Sequence, residues 1–121
     1  MNDFSVETSQ DDRGRTVIRP RGELDLATHQ ELSQAITGAL DAGQAHIVVD
    51  LTDTTFLDST ALGVLIGAVK RLRSRDGVLT IVNTDANIAK TFEITGLDQI
   101  FTIRPTRGEA VEALDADEAT A

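Results

Sequence analysis

The chain has 121 residues, a length that bounds it to a single domain, and its 40% hydrophobic and 26% charged content is that of a folded protein able to bury a core. A formal net charge of −9 argues against nucleic acid and anionic membrane as partners, because both need a basic footprint. The absence of cysteine removes disulfides, thiolate metal sites and thiol catalysis; with neither a basic-then-apolar leader nor an apolar run near 18 residues, the expected location is cytoplasmic.

Strand and helix patterns alternate along the chain. Residues 3–9 predict a first strand, with Phe4, Val6 and Thr8 alternating with Asp3, Ser5 and Glu7, and Asp11-Asp12-Arg13-Gly14 predicts a turn. A second strand over residues 16–21 contains Pro20, which cannot donate a ladder bond and is expected at a strand end, an edge or a bulge. The first helix is predicted over residues 28–42. Thr28 and Glu31 are spaced as a capping box, Leu32, Ile36 and Leu40 make one apolar stripe, and Gly43 stops it.

Residues 45–51 hold the unbroken run Ile47-Val48-Val49, the pattern of a strand inside a mainly parallel sheet. The second helix, residues 59–75, places Leu62, Leu65, Ile66, Val69 and Leu72 on one side and ends in Lys70, Arg71, Arg73 and Arg75, which suit the negative pole of the helix dipole. A strand over residues 78–82, a helix over 85–95 closed by Gly96, a short strand over 100–103 and a last helix opened by Thr106 and Glu109 complete the pattern. Residues 115–121 lack large apolar side chains and are expected to form an acidic, disordered tail behind a domain of residues 1–114. The order β-β-α-β-α-β-α-β-α predicts an α/β domain with a mixed, mainly parallel sheet of about five strands and helices packed on it.

Most candidate chemistry fails on spacing. His29 and His46 lie 17 positions apart without convergent ligands, so no metal or cofactor is expected. Gly63 and Gly67, four apart in an apolar helix, point to a close approach either to the sheet or to a partner. The informative segment is the passage from Asp50 to Leu62. Asp58 is placed to cap the second helix, with Leu57 and Leu62 as a hydrophobic staple, and this puts the Ser59 hydroxyl at the first helical position, beyond the carboxyl edge of the sheet.

Three chemistries compete there. A nucleophile elbow would need glycines where Leu57 and Ala61 stand, and a base that neither histidine is placed to supply. An aspartyl-phosphate receiver could use Asp50, but neither the acidic pair after the first strand nor a lysine after the fifth is evident. The third is a regulatory phosphoserine or phosphothreonine, whose phosphate would meet the positive pole of the helix.

Taken together, Gly22-Glu23-Leu24-Asp25, the strand ending Val48-Val49-Asp50-Leu51, the block Phe56-Leu57-Asp58-Ser59-Thr60-Ala61-Leu62-Gly63-Val64-Leu65 and Phe92-Glu93-Ile94-Thr95-Gly96-Leu97 resemble the STAS domain family, specifically the bacterial anti-sigma factor antagonists. The resemblance covers about residues 4 to 114. It implies a protein-binding switch rather than an enzyme: the unphosphorylated form binds an anti-sigma factor that is also a serine kinase of the histidine-kinase-like ATPase type, and so frees a sigma factor. The kinase modifies the serine after the motif aspartate, here Ser59 with Thr60 as second choice, and a metal-dependent serine phosphatase reverses this. Glu23, Leu24, Asp25, Asp58, Ser59, Thr60, Ala61, Leu62 and Gly63 are the partner-binding residues it implies. Ala61 stands where many members have glycine, which stiffens the first helical turn. An alternative within the family is a scaffold or accessory subunit of a larger complex, with Ser59 only beginning a helix.

The acidity is uneven. Glu109, Glu112, Asp115, Asp117 and Glu118 supply five of the nine excess negatives with no basic residue beyond position 108, which makes it mostly a terminal solubility feature.

Overall fold

The computed structural model describes residues 3–120, with side chains described through Ala113. Six strands, β1 (Ser5–Gln10), β2 (Thr16–Leu24), β3 (His46–Asp50), β4 (Thr54–Leu57), β5 (Val78–Val82) and β6 (Thr102–Arg104), form a mixed sheet. The helices are α1 (His29–Asp41), α2 (Ser59–Arg73), α3 (Ala86–Thr95) and α4 (Arg107–Thr120), with a 3-10 turn at Leu97–Gln99. The main order is β1-β2-β3-β5-β6; β1 is antiparallel to β2 and the remaining pairs are parallel. Each parallel step is made by a helical crossover, as the α/β reading requires.

Alternation within β3 and β5 divides the core. Ile47, Val49, Leu79 and Ile81 face the main core with Leu32, Ile36 and Leu40 of α1, Leu65 and Leu72 of α2, and Ile88 and Phe92 of α3. Phe92 meets Phe101 edge to face at 5.6 Å between ring centroids. On the opposite face Val17, Val48 and Val82 pack under Ala110 of α4. No helix among the described residues is long and apolar enough to cross a membrane.

Four features differ from the sequence reading. The first is β4, a sixth strand. Its four residues begin with two threonines, too short and too polar to stand out, and its only recorded partner is the far end of β2. The second is that β2 runs on through Pro20 to Leu24. Pro20 is the register partner of Val6 in β1, but on its other edge it falls between the β3-paired stretch (residues 16–18) and the β4-paired stretch (residues 22–24), where its carbonyl accepts from Thr54 Oγ1 at 3.2 Å.

The third difference is at α1. Thr28 does not cap with its side chain; it lies in the helical region at φ −116°, ψ −15°, with its hydroxyl turned back onto β2. The fourth is that α4 continues to Thr120, over the segment read as a tail, where alanine and glutamate favour helix; the side chains of residues 114–120 and all of Ala121 lie outside the described residues. At the other end of α4, Thr106 Oγ1 accepts from the Glu109 amide at 3.1 Å, half of the expected capping box.

Candidate functional site

Two segments separated by more than thirty residues are brought together by one strand pairing. Gly22 lies opposite Thr54, Glu23 opposite Phe56 and Leu24 opposite Leu57, with a register shift between Gly22 and Glu23. Gly22 makes the irregularity possible: its φ of +108° is one that side chains rarely adopt, and Phe4 lies against it at 3.5 Å from where a Cβ would stand. Leu24 and Leu57 point inward and are buried, whereas Glu23 and Phe56 are exposed. Beyond the pairing, the Asp58 amide donates to the Leu24 carbonyl at 3.1 Å, so the end of β2 is held against the start of α2.

Asp58 is the cap that the sequence predicts. It is extended, at φ −104° and ψ −177°, and its Oδ1 accepts from the Thr60 amide at 2.9 Å and the Ala61 amide at 3.1 Å. Leu57 and Leu62, the two staple residues, are both buried in the main core. Ser59 is the first residue of α2 and is exposed; Thr60 is half-buried, Ala61 and Leu62 are buried, and Gly63 is exposed. Of the nine residues read as a partner surface, Leu24, Ala61 and Leu62 therefore hold the site from below, and the others reach its surface.

The second turn is built with equal care. Asp25 Oδ1 accepts from the Ala27 amide at 2.9 Å and the Thr28 amide at 3.2 Å. Thr28, 3% exposed, donates its hydroxyl to the Glu23 carbonyl at 2.6 Å and accepts from the Asp25 amide at 3.0 Å. The outcome is a closed turn with Leu26, 75% exposed, at its tip.

Asp50 is not available for phosphorylation in this arrangement. It is 3% exposed at the end of β3, and its carboxylate accepts from the Thr52 amide at 3.0 Å, from the Thr52 hydroxyl and from Arg107 Nε at 2.7 Å. Burial pushes this carboxyl up, but those hydrogen bonds and the guanidinium charge outweigh it and hold the group below the ordinary aspartate value. Asp53 is paired by Arg19 and, at 3.6 Å, by Arg21. The two α2 glycines answer the question left open by their spacing: no atom lies within 4 Å of where a Cβ would stand on Gly63 or Gly67, so packing on the sheet does not require them.

Sequence reasoning missed Leu26, Phe56 as an exposed residue, the bracing role of Thr28 and the Asp50–Arg107 pair. The first had a usable signal: Leu26 falls outside the α1 stripe of Leu32, Ile36 and Leu40, in a turn between an aspartate and a helix start. The pair, 57 positions apart, had none.

Comparison with known proteins identifies the family and the fold. The chain is 33% identical over 106 residues to the anti-sigma-B factor antagonist of Listeria monocytogenes, covering 88% of this chain and 93% of that one. It is 35% identical over 97 residues to the anti-sigma-B factor antagonist of Staphylococcus aureus, covering 80% and 89%. The crystal structure of an anti-sigma factor antagonist from Mycobacterium paratuberculosis superposes with a TM-score of 0.84 at 28% identity, over 92% of this chain and 93% of that one. The STAS domain match extends over residues 4–110, from β1 to the first turn of α4, and the chain belongs to that family.

Proposed function

We propose that the chain is an anti-sigma factor antagonist, acting in the cytoplasm as a binding protein whose affinity is set by phosphorylation of Ser59. The unphosphorylated form binds an anti-sigma factor and so releases the sigma factor. The same partner, acting as a serine kinase of the histidine-kinase-like ATPase type, inactivates the antagonist, and a metal-dependent serine phosphatase restores it. The observation that carries this reading is the exposed hydroxyl of Ser59 at the first position of α2, beside the Gly22 to Asp25 turn, in a chain closely related to proteins named for this activity.

A phosphate on Ser59 would act through its charge. It brings about −1.5 to −2 charges at neutral pH. The positive pole of α2 favours it by about 0.3–1 kcal/mol, but the Thr60 and Ala61 amides are already held by Asp58, whose carboxylate then stands next to the new charge. The fold therefore survives and the cost falls on association. A dianion keeps its water, and a partner that must dry this surface loses several kcal/mol, enough for a hundredfold weaker complex.

Titrating the purified cognate anti-sigma factor with wild type, Ser59→Ala and Ser59→Asp tests this. Wild type and Ser59→Ala are expected to bind alike and Ser59→Asp at least tenfold more weakly, and kinase with ATP is expected to label wild type but not Ser59→Ala. Equal affinity of all three proteins removes the switch, and label persisting in Ser59→Ala moves the acceptor to Thr60.

A further inference from the structure

We propose that Leu26 and Phe56 are the anchor side chains of the partner-binding surface, and that the partner receives them in apolar pockets rimmed by lysine and arginine. This rests on reading the Ser59 edge as the partner-binding surface, and it specifies the chemistry of what docks there. Four large hydrophobic side chains are exposed among the described residues: Leu26 at 75%, Ile94 at 74%, Phe56 at 50% and Ile100 at 43%. Phe56 lies in the β2–β4 pairing, and Leu26 sits in the turn two residues beyond the paired end of β2. A scattered exposed leucine needs no explanation; a paired placement around one exposed hydroxyl does.

Leu26 is held out, not left out. The hydrogen bonds of Asp25 and Thr28 close the turn on itself and tie it to the Glu23 carbonyl of β2 and to the first turn of α1, where the His29 and Glu31 amides donate to the Asp25 and Thr28 carbonyls, and the Leu26 carbonyl lies 3.0 Å from His29 Nδ1. The side chain at the tip thus meets a partner from a backbone already ordered, which removes part of the entropy cost of association. Phe56 is fixed in a second way. It lies opposite Glu23 in the β2–β4 register, on the outward side, while its neighbour Leu57 pairs with Leu24 in the core. The Asp58 amide on the Leu24 carbonyl joins the two anchors into one unit with the start of α2.

Charge defines the rim. Residues 22–69 contain no lysine or arginine, but do contain Glu23, Asp25, Glu31, Asp41, Asp50, Asp53 and Asp58. Asp50 and Asp53 are answered by arginines from elsewhere. Glu23, Asp25 and Asp58, the three beside the anchors, make no ion pair among the described residues. A partner matched to this edge brings cations around its apolar pockets, in the usual arrangement of a dry centre and a polar rim. Water retained by a phosphate on Ser59 keeps that centre from drying, which is why the same surface can be switched.

The experiment measures binding of the purified cognate anti-sigma factor to wild type, Leu26→Ala, Phe56→Ala, Glu23→Gln, Ile94→Ala and Ser59→Asp, with melting curves confirming that each variant is folded; Phe56→Thr replaces Phe56→Ala if the latter melts early. Loss of a seated leucine or phenylalanine is expected to weaken binding by about ten- to a hundredfold, with Ile94→Ala within threefold of wild type. Glu23→Gln is expected to flatten the dependence of affinity on salt. Leu26→Ala and Phe56→Ala both within threefold of wild type overturn the anchors, and an unchanged salt slope in Glu23→Gln overturns the cationic rim. Full-strength binding by Ser59→Asp together with loss in Leu26→Ala refutes the phosphoswitch while supporting the anchors. No binding by folded wild type refutes both.

Discussion

Replacing Arg107 by alanine strips the guanidinium from Asp50 and leaves a carboxylate that is 3% exposed with only the hydroxyl and amide of Thr52 for partners. Breaking a fully buried pair costs about 3–5 kcal/mol, but the Arg107 side chain is 42% exposed, so solvent screens part of the interaction and the expected loss is about 1–2 kcal/mol. For a chain of this size that lowers Tm by about 4 °C per kcal/mol. Urea melts of wild type, Arg107→Ala, Asp50→Asn and the double variant give the coupling directly, expected at about 1 kcal/mol.

The pH dependence has a definite sign. Because the Asp50 carboxyl is held below its ordinary value in the folded protein, its contribution is fully present above the unfolded aspartate value, about 3.9, and is lost as pH falls through the lower folded value. The gap in stability between wild type and Arg107→Ala is therefore widest near neutrality and closes below about pH 4. A gap under about 0.3 kcal/mol at pH 7, or one that widens in acid, would refute the account of this pair.

Two further outcomes follow from the α2 geometry. Asp58→Ala removes the acceptor of the Thr60 and Ala61 amides and is expected to cost about 1 kcal/mol in chemical denaturation, with Asp58→Asn recovering most of it. Gly63→Ala and Gly67→Ala, placed where a Cβ meets nothing, are each expected to raise stability by about 0.5–1 kcal/mol in thermal melts; a loss at either position would show that packing does require the glycine.

What the chain discloses before folding depends on whether a signal is local. The stripe of Leu32, Ile36 and Leu40, the run Ile47-Val48-Val49 and the glycine after Thr95 each sit within one element, and each marks its element correctly; Gly96 adopts φ +75° at the end of α3. Asp58 was legible as a cap for the same reason. Thr28 misleads because the capping spacing to Glu31 is present, yet its hydroxyl is turned away from the helix, onto the Glu23 carbonyl and the Asp25 amide. β4 could not be read from Thr54-Thr55-Phe56-Leu57 alone, since the strand exists only through its pairing with residues 22–24. The exposure of Phe56 was hidden with it, because only the register tells which of Phe56 and Leu57 faces the core.

That pairing also bears on how Ser59 can be reached. A kinase active site must surround the acceptor hydroxyl, and a serine packed into the first turn of a helix offers one side only. Among the described residues β4 is hydrogen-bonded to the end of β2 and to no other strand. Lifting residues 54–58 away breaks that short ladder, the Asp58–Leu24 bond and the α2 cap, while the β2-β3-β5-β6 framework keeps its own ladders. The Ser59 hydroxyl is exposed as it stands, and a kinase that had to surround it would, on the proposed switch, need this local opening, whose free energy lies below that of global unfolding and which amide hydrogen exchange in β4 would measure. On the proposed phosphoswitch, the fraction of time residues 54–58 spend open would set how fast Ser59 is modified, so that the stability of the short β2–β4 ladder would time the inactivation.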